Sequence, residues 1–253
     1  MVYAVWLFGL GLFFLLLERA KPSRPNQRIL RNGFWQDLGF LIFNSEYLGL
    51  LIGLVAIHLT RVFDPLVSWQ VLAGQPLWVQ LPILILVLDL MQWVVHNLMH
   101  RVPWLWEFHK LHHSAEEMDW LSNWRFHGVE SVVYRSLLYV PAAFLGCSGE
   151  AMFWFGVLNT CVGHFAHANS DVSIGFLRFV FNHPQMHRWH HAHPDSGPPD
   201  RNFGILLSVW DWLFDTAYLP EGRTPHRYGF AGMERYPLNA AGRLIAPFYR
   251  RPA

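Results

Sequence analysis

Charge is scarce in this sequence. Asp, Glu, Lys and Arg make up 15% of its 253 residues, against about 25% in an ordinary soluble domain. That shortage excludes a disordered chain, which needs low hydrophobicity and high charge, and it argues against an ordinary soluble domain. Neither sign prevails: 19 basic residues stand against 18 acidic ones, so the overall charge does not suggest a nucleic-acid partner. Cysteine is almost missing. Cys147 and Cys161 are the only two, both in apolar stretches, which excludes a disulfide framework or a Cys-based zinc module. There is no G-x-G-x-x-G, no C-x-x-C-H and no set of cysteines for an iron–sulfur cluster, so no organic cofactor bound within the chain is expected. No H-E-x-x-H occurs and no Glu lies inside a histidine cluster, which disfavours a metalloprotease.

What is present is apolar. Hydrophobic residues are 53% of the chain and 13 residues are Trp; mean hydropathy is +0.19. Trp collects where a chain meets the bilayer interface. Five apolar stretches stand out, at about Val2 to Leu17, Phe34 to Leu59, Leu77 to Met99, Val132 to Leu145 and Ala151 to Phe165. A helix needs about 20 apolar residues to cross a bilayer. The first stretch lacks a basic leader and a small-residue cleavage site, so it reads as a retained anchor. The last two are short and are separated by Gly146-Cys147-Ser148-Gly149, so they read as a tight helical hairpin that dips into the bilayer or just spans it. The expectation is an all-α integral membrane bundle. Its parts are N-terminal transmembrane helices over 1–77, a His-rich helical cap on the cytoplasmic side over 78–219, and an irregular C-terminal tail over 220–253.

The basic residues set the orientation. Between Arg19 and Arg31 lie five Lys/Arg. If that loop is cytoplasmic, only Arg61 of the 19 basic residues falls on the far side, a strong positive-inside bias. The C-terminus is then cytoplasmic. Of the 15 histidines, only His58 is on the far side.

Histidine is the excess that carries chemistry. His96 and His100 are spaced i, i+4. His109, His112 and His113 form an H-x-x-H-H turn, and His187, His190 and His191 form a second. His164 and His167 leave the fifth apolar stretch. Such spacings place imidazoles on one face of a helix. Imidazole suits Fe, Zn, Cu and Ni. One tetrahedral zinc cannot use this many nitrogens, whereas two metals with open positions can. Two nitrogen-ligated metals beside a bilayer suggest oxygen activation on a lipid-like substrate. A metal transporter is the rival from another class. It would place ionisable groups near the bilayer midplane, where only Glu46 fits.

These motifs, in this order, resemble the fatty acid hydroxylase/sterol desaturase superfamily of membrane di-iron oxygenases. The likeness runs from about Leu81 to Thr216 and extends beyond the histidines. It includes Asp89 ahead of the first box and Arg125-Phe126-His127 with Glu130, where Gly128 replaces a usual Pro. It also includes His167-Ala168-Asn169, and Pro184 through His191. Asp200-Arg201-Asn202-Phe203-Gly204 and Trp210-Asp211 close it, with Asp215 in place of a usual Gly. The resemblance implies metal ligation by His96, His100, His109, His112, His113, His167, His187, His190 and His191. His164, one turn before His167, is a tenth candidate. His183 and His193 flank the last box. The resemblance also implies two iron ions, with zinc able to substitute in purified protein, and O2.

Metal-bound imidazoles usually donate their second N–H to a carboxylate or carbonyl. Asp89, His127, Asn169, Asp200, Asn202 and Asp211 are the candidates for that orienting work. The expected reaction is hydroxylation of a lipid, fatty-acyl or sterol-like substrate, with desaturation on the same site as the alternative. Two electrons must come from a separate ferredoxin, cytochrome or reductase. An apolar tunnel between the third, fourth and fifth stretches should admit the substrate, with Trp93, Trp104, Trp106, Trp120, Trp124 and Trp154 as candidate lining.

Overall fold

A computed structural model describes residues 2–47 and 69–249 of the chain. Among these residues there is no strand, only three isolated bridges between extended segments. Nine α-helices follow one another: α1 Val2–Ala20, α2 Phe34–Ile42, α3 Leu77–Arg101, α4 Pro103–His113, α5 Gly128–Leu145, α6 Gly149–His167, α7 Pro184–His190, α8 Val209–Leu213 and α9 Ala240–Tyr249. The all-α expectation holds for the described residues. Among them one helix, α3 with its 25 residues, is long and apolar enough to cross a membrane. Helix α2 ends in a π-type turn, Phe43–Tyr47. The rest of the second apolar stretch, with His58 and Arg61, lies outside the described residues, as does the side chain of Glu46.

Local chemistry explains the boundaries that matter. Val102 is extended and precedes Pro103, which opens α4. The residue before proline avoids helical backbone, and proline fits the first turn of a helix. The chain therefore breaks sharply between α3 and α4 and folds the His109 turn back against the His96 face. Gly146, at φ 75°, closes α5 in the left-handed conformation, and the Ser148 hydroxyl caps α6 by accepting from the Ala151 N–H. The expected turn between the last two apolar stretches is therefore present, with 18 and 19 residues in its two helices.

Helices α3, α5 and α6 pack around Leu84, Leu88, Ala142, Ala151 and Phe155, all buried. Helix α1 lies along α6 but leaves Val5, Phe8, Leu12, Phe13 and Leu16 exposed. The tail is less irregular than expected. Helix α9 lies against α4, and Phe230, Tyr236 and Ala246 form a small second core with Trp106. The Arg243 guanidinium ties the tail to Gln36 of α2 and to its own backbone at Pro237.

A buried ionic knot joins α2 to the segment between α4 and α5. Asp37 accepts from Arg31 at 2.7 Å and from Arg125 at 2.6 and 3.0 Å. Arg31 also pairs with Asp119, and Arg125 donates to the Ser114 carbonyl. Gly33 caps α2 at φ 83°; a Cβ there would sit 2.4 Å from Arg125 Nη2. The left-handed backbone and the packed guanidinium both require glycine at this position.

Candidate metal centre

Four helices deliver the histidines to one place. His96 and His100 come from the end of α3, His109, His112 and His113 from α4, His167 from the end of α6, and His187 and His190 from α7 with His191 at its cap. They sort into two groups whose candidate ligand atoms lie within 4.8 Å of one another: His96, His100, His109, His113 and His190, then His112, His167, His187 and His191. All nine of the expected positions are gathered. Each H-x-x-H-H turn is divided between the two groups. Successive residues on a helix point about 100° apart, so the neighbours His112 and His113 face different centres.

The rings are oriented from behind. Nδ1 of His96 is 2.8 Å from the Phe203 carbonyl, and that of His190 is 2.9 Å from the Arg201 carbonyl. His167 Nδ1 is 2.8 Å from the Gly163 carbonyl, one turn back on its own helix. His100 Nδ1 meets Asp200 at 3.1 Å, and His109 Nδ1 meets Glu130 at 2.6 Å. With a proton on Nδ1 donated outward, Nε2 keeps a bare lone pair. Those lone pairs converge. His96 Nε2 and His109 Nε2 are 3.1 Å apart, and His167 Nε2 is 3.2 Å from the Nε2 atoms of both His112 and His187. His100, His113 and His190 each have a buried Nε2 with no hydrogen-bond partner. Converging unprotonated nitrogens repel one another unless a cation lies among them, so this donor set fits metal ions. Burial, followed by the repulsion of neighbouring imidazolium charges, holds His109, His112, His113, His187, His190 and His191 well below the usual histidine range. They are neutral at physiological pH, the form that binds metal.

One loop does much of the orienting. Residues 200–204 supply the Asp200 carboxylate and the Arg201 and Phe203 carbonyls to three rings of the first group. Asp200 and Asn202 adopt left-handed backbone at φ 56° and 60°, which Asp and Asn tolerate better than most residues. Asn202 then locks the loop through bonds to the Met186 and Tyr218 backbones. Asp211 accepts from the Phe203 and Gly204 amides, Trp93 and Thr216. Asp89 accepts from the Leu206 and Leu207 amides and from Trp210. Asn202, Asp211 and Asp89 therefore bond no imidazole of the two groups. They hold the loop that does, one bond further out than expected.

Three expected positions belong elsewhere. His127 caps α5 and bonds the Leu244 carbonyl. Asn169 ties residue 24 to the end of α6. His164 is outside both groups, its ring nitrogens facing Asn123 and Trp124. Conversely, the ring-orienting role of Glu130 was not foreseen, although it was visible inside the Arg125–Glu130 motif as an acid in the first turn of α5. The two departures from the motif pattern have backbone explanations. Gly128 is the first residue of α5, where proline is favoured. Asp215 is left-handed at φ 57°, where glycine costs least.

Exchanging Glu130 for Gln is expected to lower metal affinity or turnover by about 10–100-fold, the usual cost of losing such a ring-orienting partner. Metal per chain, measured at equal folded protein, checks this; full retention would remove Glu130 from the site.

A cavity of about 510 Å³ adjoins the histidines. His96, His109, His112, His167 and His187 line it, together with Leu138 of α5 and Met152, Phe153 and Phe155 of α6. It lies between α3, α5 and α6, where a substrate path was expected. Of the six tryptophans proposed for its lining only Trp124 is there. Trp93 serves Asp211, Trp106 packs on His100 and His113, and Trp120 on His164.

Comparison with known proteins agrees with this geometry. Residues 81–216 match the family described as fatty acid hydroxylase. The chain is 30% identical over 159 residues to an ornithine lipid hydroxylase of Rhizobium tropici, covering 63% of this chain and 47% of that protein. It is 29% identical over 122 residues to human alkylglycerol monooxygenase, covering 48% of this chain and 26% of that protein. A cholesterol 25-hydroxylase-like protein of Danio rerio is 25% identical over 234 residues, 82% of this chain and 77% of that protein. The chain thus spans less than half the length of the first two. No solved structure matches it.

Proposed function

Because the chain belongs to the fatty acid hydroxylase family, we propose that it is a membrane-bound di-iron oxygenase that hydroxylates a lipid, fatty-acyl or sterol-like substrate. The observation that carries this reading is the convergence of imidazole nitrogens in two adjacent groups, five rings and four, five of whose rings line one cavity. Three relatives whose names specify hydroxylation or monooxygenation of lipids support it. His96, His100, His109, His113 and His190 would hold one ion; His112, His167, His187 and His191 would hold the other. When bound, iron supplies the redox chemistry that uses O2 and two electrons from a separate ferredoxin, cytochrome or reductase to oxidise a C–H bond.

The chain's own residues do the rest. Asp200, Glu130 and the carbonyls of Gly163, Arg201 and Phe203 fix ring direction. The apolar side chains of Leu138, Met152, Phe153 and Phe155, the last of them buried, offer an acyl chain a surface in the cavity that the imidazoles also line. In this reading α3 crosses the bilayer with the other apolar segments, and the histidine groups and C-terminus face the cytoplasm. Residues 1–77 serve as anchor, 78–219 as the catalytic region and 220–253 as a tail.

Elemental mass spectrometry on freshly purified protein in detergent tests the reading, followed by a lipid oxidation assay with an added electron donor. About two ions per chain, as iron or substituting zinc, together with oxidised lipid from the iron form, is the expected outcome. Folded protein that holds no metal and is not restored by added iron would overturn it.

A further inference from the structure

Between α6 and α7 the chain turns apolar side chains outward. Every residue from Gly175 to Phe181 is exposed, and five of these seven are Phe, Leu or Val. Phe176 is 77% exposed. Trp212, Leu213 and Phe214, at the end of α8, are exposed beside them. The rings of Phe179 and Trp212 have centroids 5.0 Å apart, and the Ser208 N–H donates to the Val180 carbonyl at 2.9 Å. Consecutive exposed apolar residues do not suit a surface in water, and a large apolar patch marks an interaction site.

The patch sits against α3. Phe214 packs on Trp93 with centroids 4.7 Å apart. Leu86, two turns before Trp93 on the same face, and Val94, next to it, are exposed as well. One apolar surface therefore runs from α3 onto the patch. Trp93 follows Leu77, the first residue of α3, by sixteen positions, a rise of about 24 Å. The hydrocarbon layer of a bilayer is about 30 Å thick. A helix that enters this layer at Leu77 is still among acyl chains at Trp93, and so is whatever packs there. Tilting the helix only deepens the patch.

The backbone suits such a place. Irregular backbone at membrane depth must find its hydrogen-bond partners within the protein. The Leu206 and Leu207 amides donate to the Asp89 carboxylate of α3 at 2.8 and 3.0 Å. The Asn182 N–H donates to the Leu206 carbonyl, the Val180 and Phe181 amides to the Leu177 carbonyl, and the Ser208 hydroxyl to the Arg178 carbonyl. Arg178 is the one charge in the run from Gly175 to Phe181. Its guanidinium carbon is 5.0 Å from the centroid of the Phe179 ring, on a stem that carries such a head toward lipid phosphates. A protein partner steered by charge would find a single cation here.

Resting on the reading in which α3 crosses the bilayer, we propose that residues 175–181 and 212–214 are immersed, without spanning, in the acyl layer of the leaflet on the histidine side. Acyl chains cover the patch, and Arg178 reaches the phosphates above it. Asn182, the residue after Phe181, lines the histidine cavity. The patch thus holds that edge of the cavity at the depth of the acyl chains.

The full chain in nanodiscs of phosphatidylcholine and phosphatidylglycerol tests this with two labels mapped by mass spectrometry. One is a lipid with a photoreactive diazirine in its acyl chain; the other is hydroxyl radical generated in the water. Residues 175–181 and 212–214 should take up the lipid as residues 86–94 of α3 do. Phe176, Phe179 and Trp212 should lose the radical oxidation that His226, exposed in the tail, retains. Oxidation of the patch like that of His226 would place it in water and overturn the proposal. Protection from both labels would overturn it too, because a covering protein or a second copy would then be the occupant. An unlabelled patch beside lipid-labelled 86–94 rejects this proposal alone, whereas 86–94 without lipid adducts takes α3 out of the bilayer and the proposal falls with that reading. Neither label needs metal or turnover, so the oxygenase chemistry is tested separately.

Discussion

Replacing His112 by alanine is expected to abolish lipid oxidation and to lower the metal content from about two ions per chain toward one. His112 belongs to the four-ring group with His167, His187 and His191. Its Nε2 is 3.2 Å from that of His167, and its ring stacks on Phe126 with centroids 4.7 Å apart. Loss of an orienting partner already costs about 10–100-fold, and loss of a ligating nitrogen should exceed that. The neighbouring His113→Ala provides the control, because His113 serves the five-ring group. Each variant should lose one ion and keep the other. The measurement is metal per chain beside the yield of oxidised lipid. Unchanged products in His112→Ala would sink the catalytic assignment of these clusters, and identical metal losses from both centres in both variants would sink the division into two groups.

The largest effect on stability is expected at Asp37, far from any imidazole in sequence. Asp37 is fully buried and neutralises two guanidiniums, Arg31 and Arg125. Asp37→Ala would leave two buried cations sharing the single carboxylate of Asp119, which already pairs with Arg31. Breaking a buried pair by removing one partner costs about 3–5 kcal/mol. Thermal or denaturant unfolding in detergent should register that loss, with Asp37→Asn in between because it keeps one acceptor oxygen. A variant within ~0.5 kcal/mol of wild type would be behaving as an ordinary surface change, and the knot would not hold α2 in place. The knot bears on the site through Arg125, which bonds the carbonyl of Ser114, the cap of α4 directly after His113.

Much of the site was legible because helical spacing is a local property. The i, i+3, i+4 pattern of His109, His112 and His113 places those rings on one side of a helix whatever the rest of the chain does, and the same holds for His187, His190 and His191. The break at Val102-Pro103 and the turn at Gly146 are also local, set by proline and by left-handed glycine. The orienting residues were harder to read. Asp200, nine residues after His191, does reach a ring, meeting Nδ1 of His100. Asp89 and Asp211 were placed one bond too close, since nothing in the sequence says that their carboxylates accept from backbone amides of the 203–207 loop. His127 looked like part of the site but caps a helix, a role that depends on where its own backbone turns. Gly163, Arg201 and Phe203 act through carbonyl oxygens, which every residue has, so no side-chain signal could have marked them.

By itself the sequence determined the helical class, the apolar character of α3, the nine histidines and the family. Each of these follows from composition, period or motif order, and none requires knowing which residues meet. Only the tertiary structure decided how the nine rings divide into five and four, that Glu130 backs His109, and that a cavity adjoins the imidazoles. The physical reason is common to all three. A helix sets the direction of a side chain within a turn, but which oxygen, nitrogen or empty space lies in that direction depends on the packing of α3 to α7 against one another.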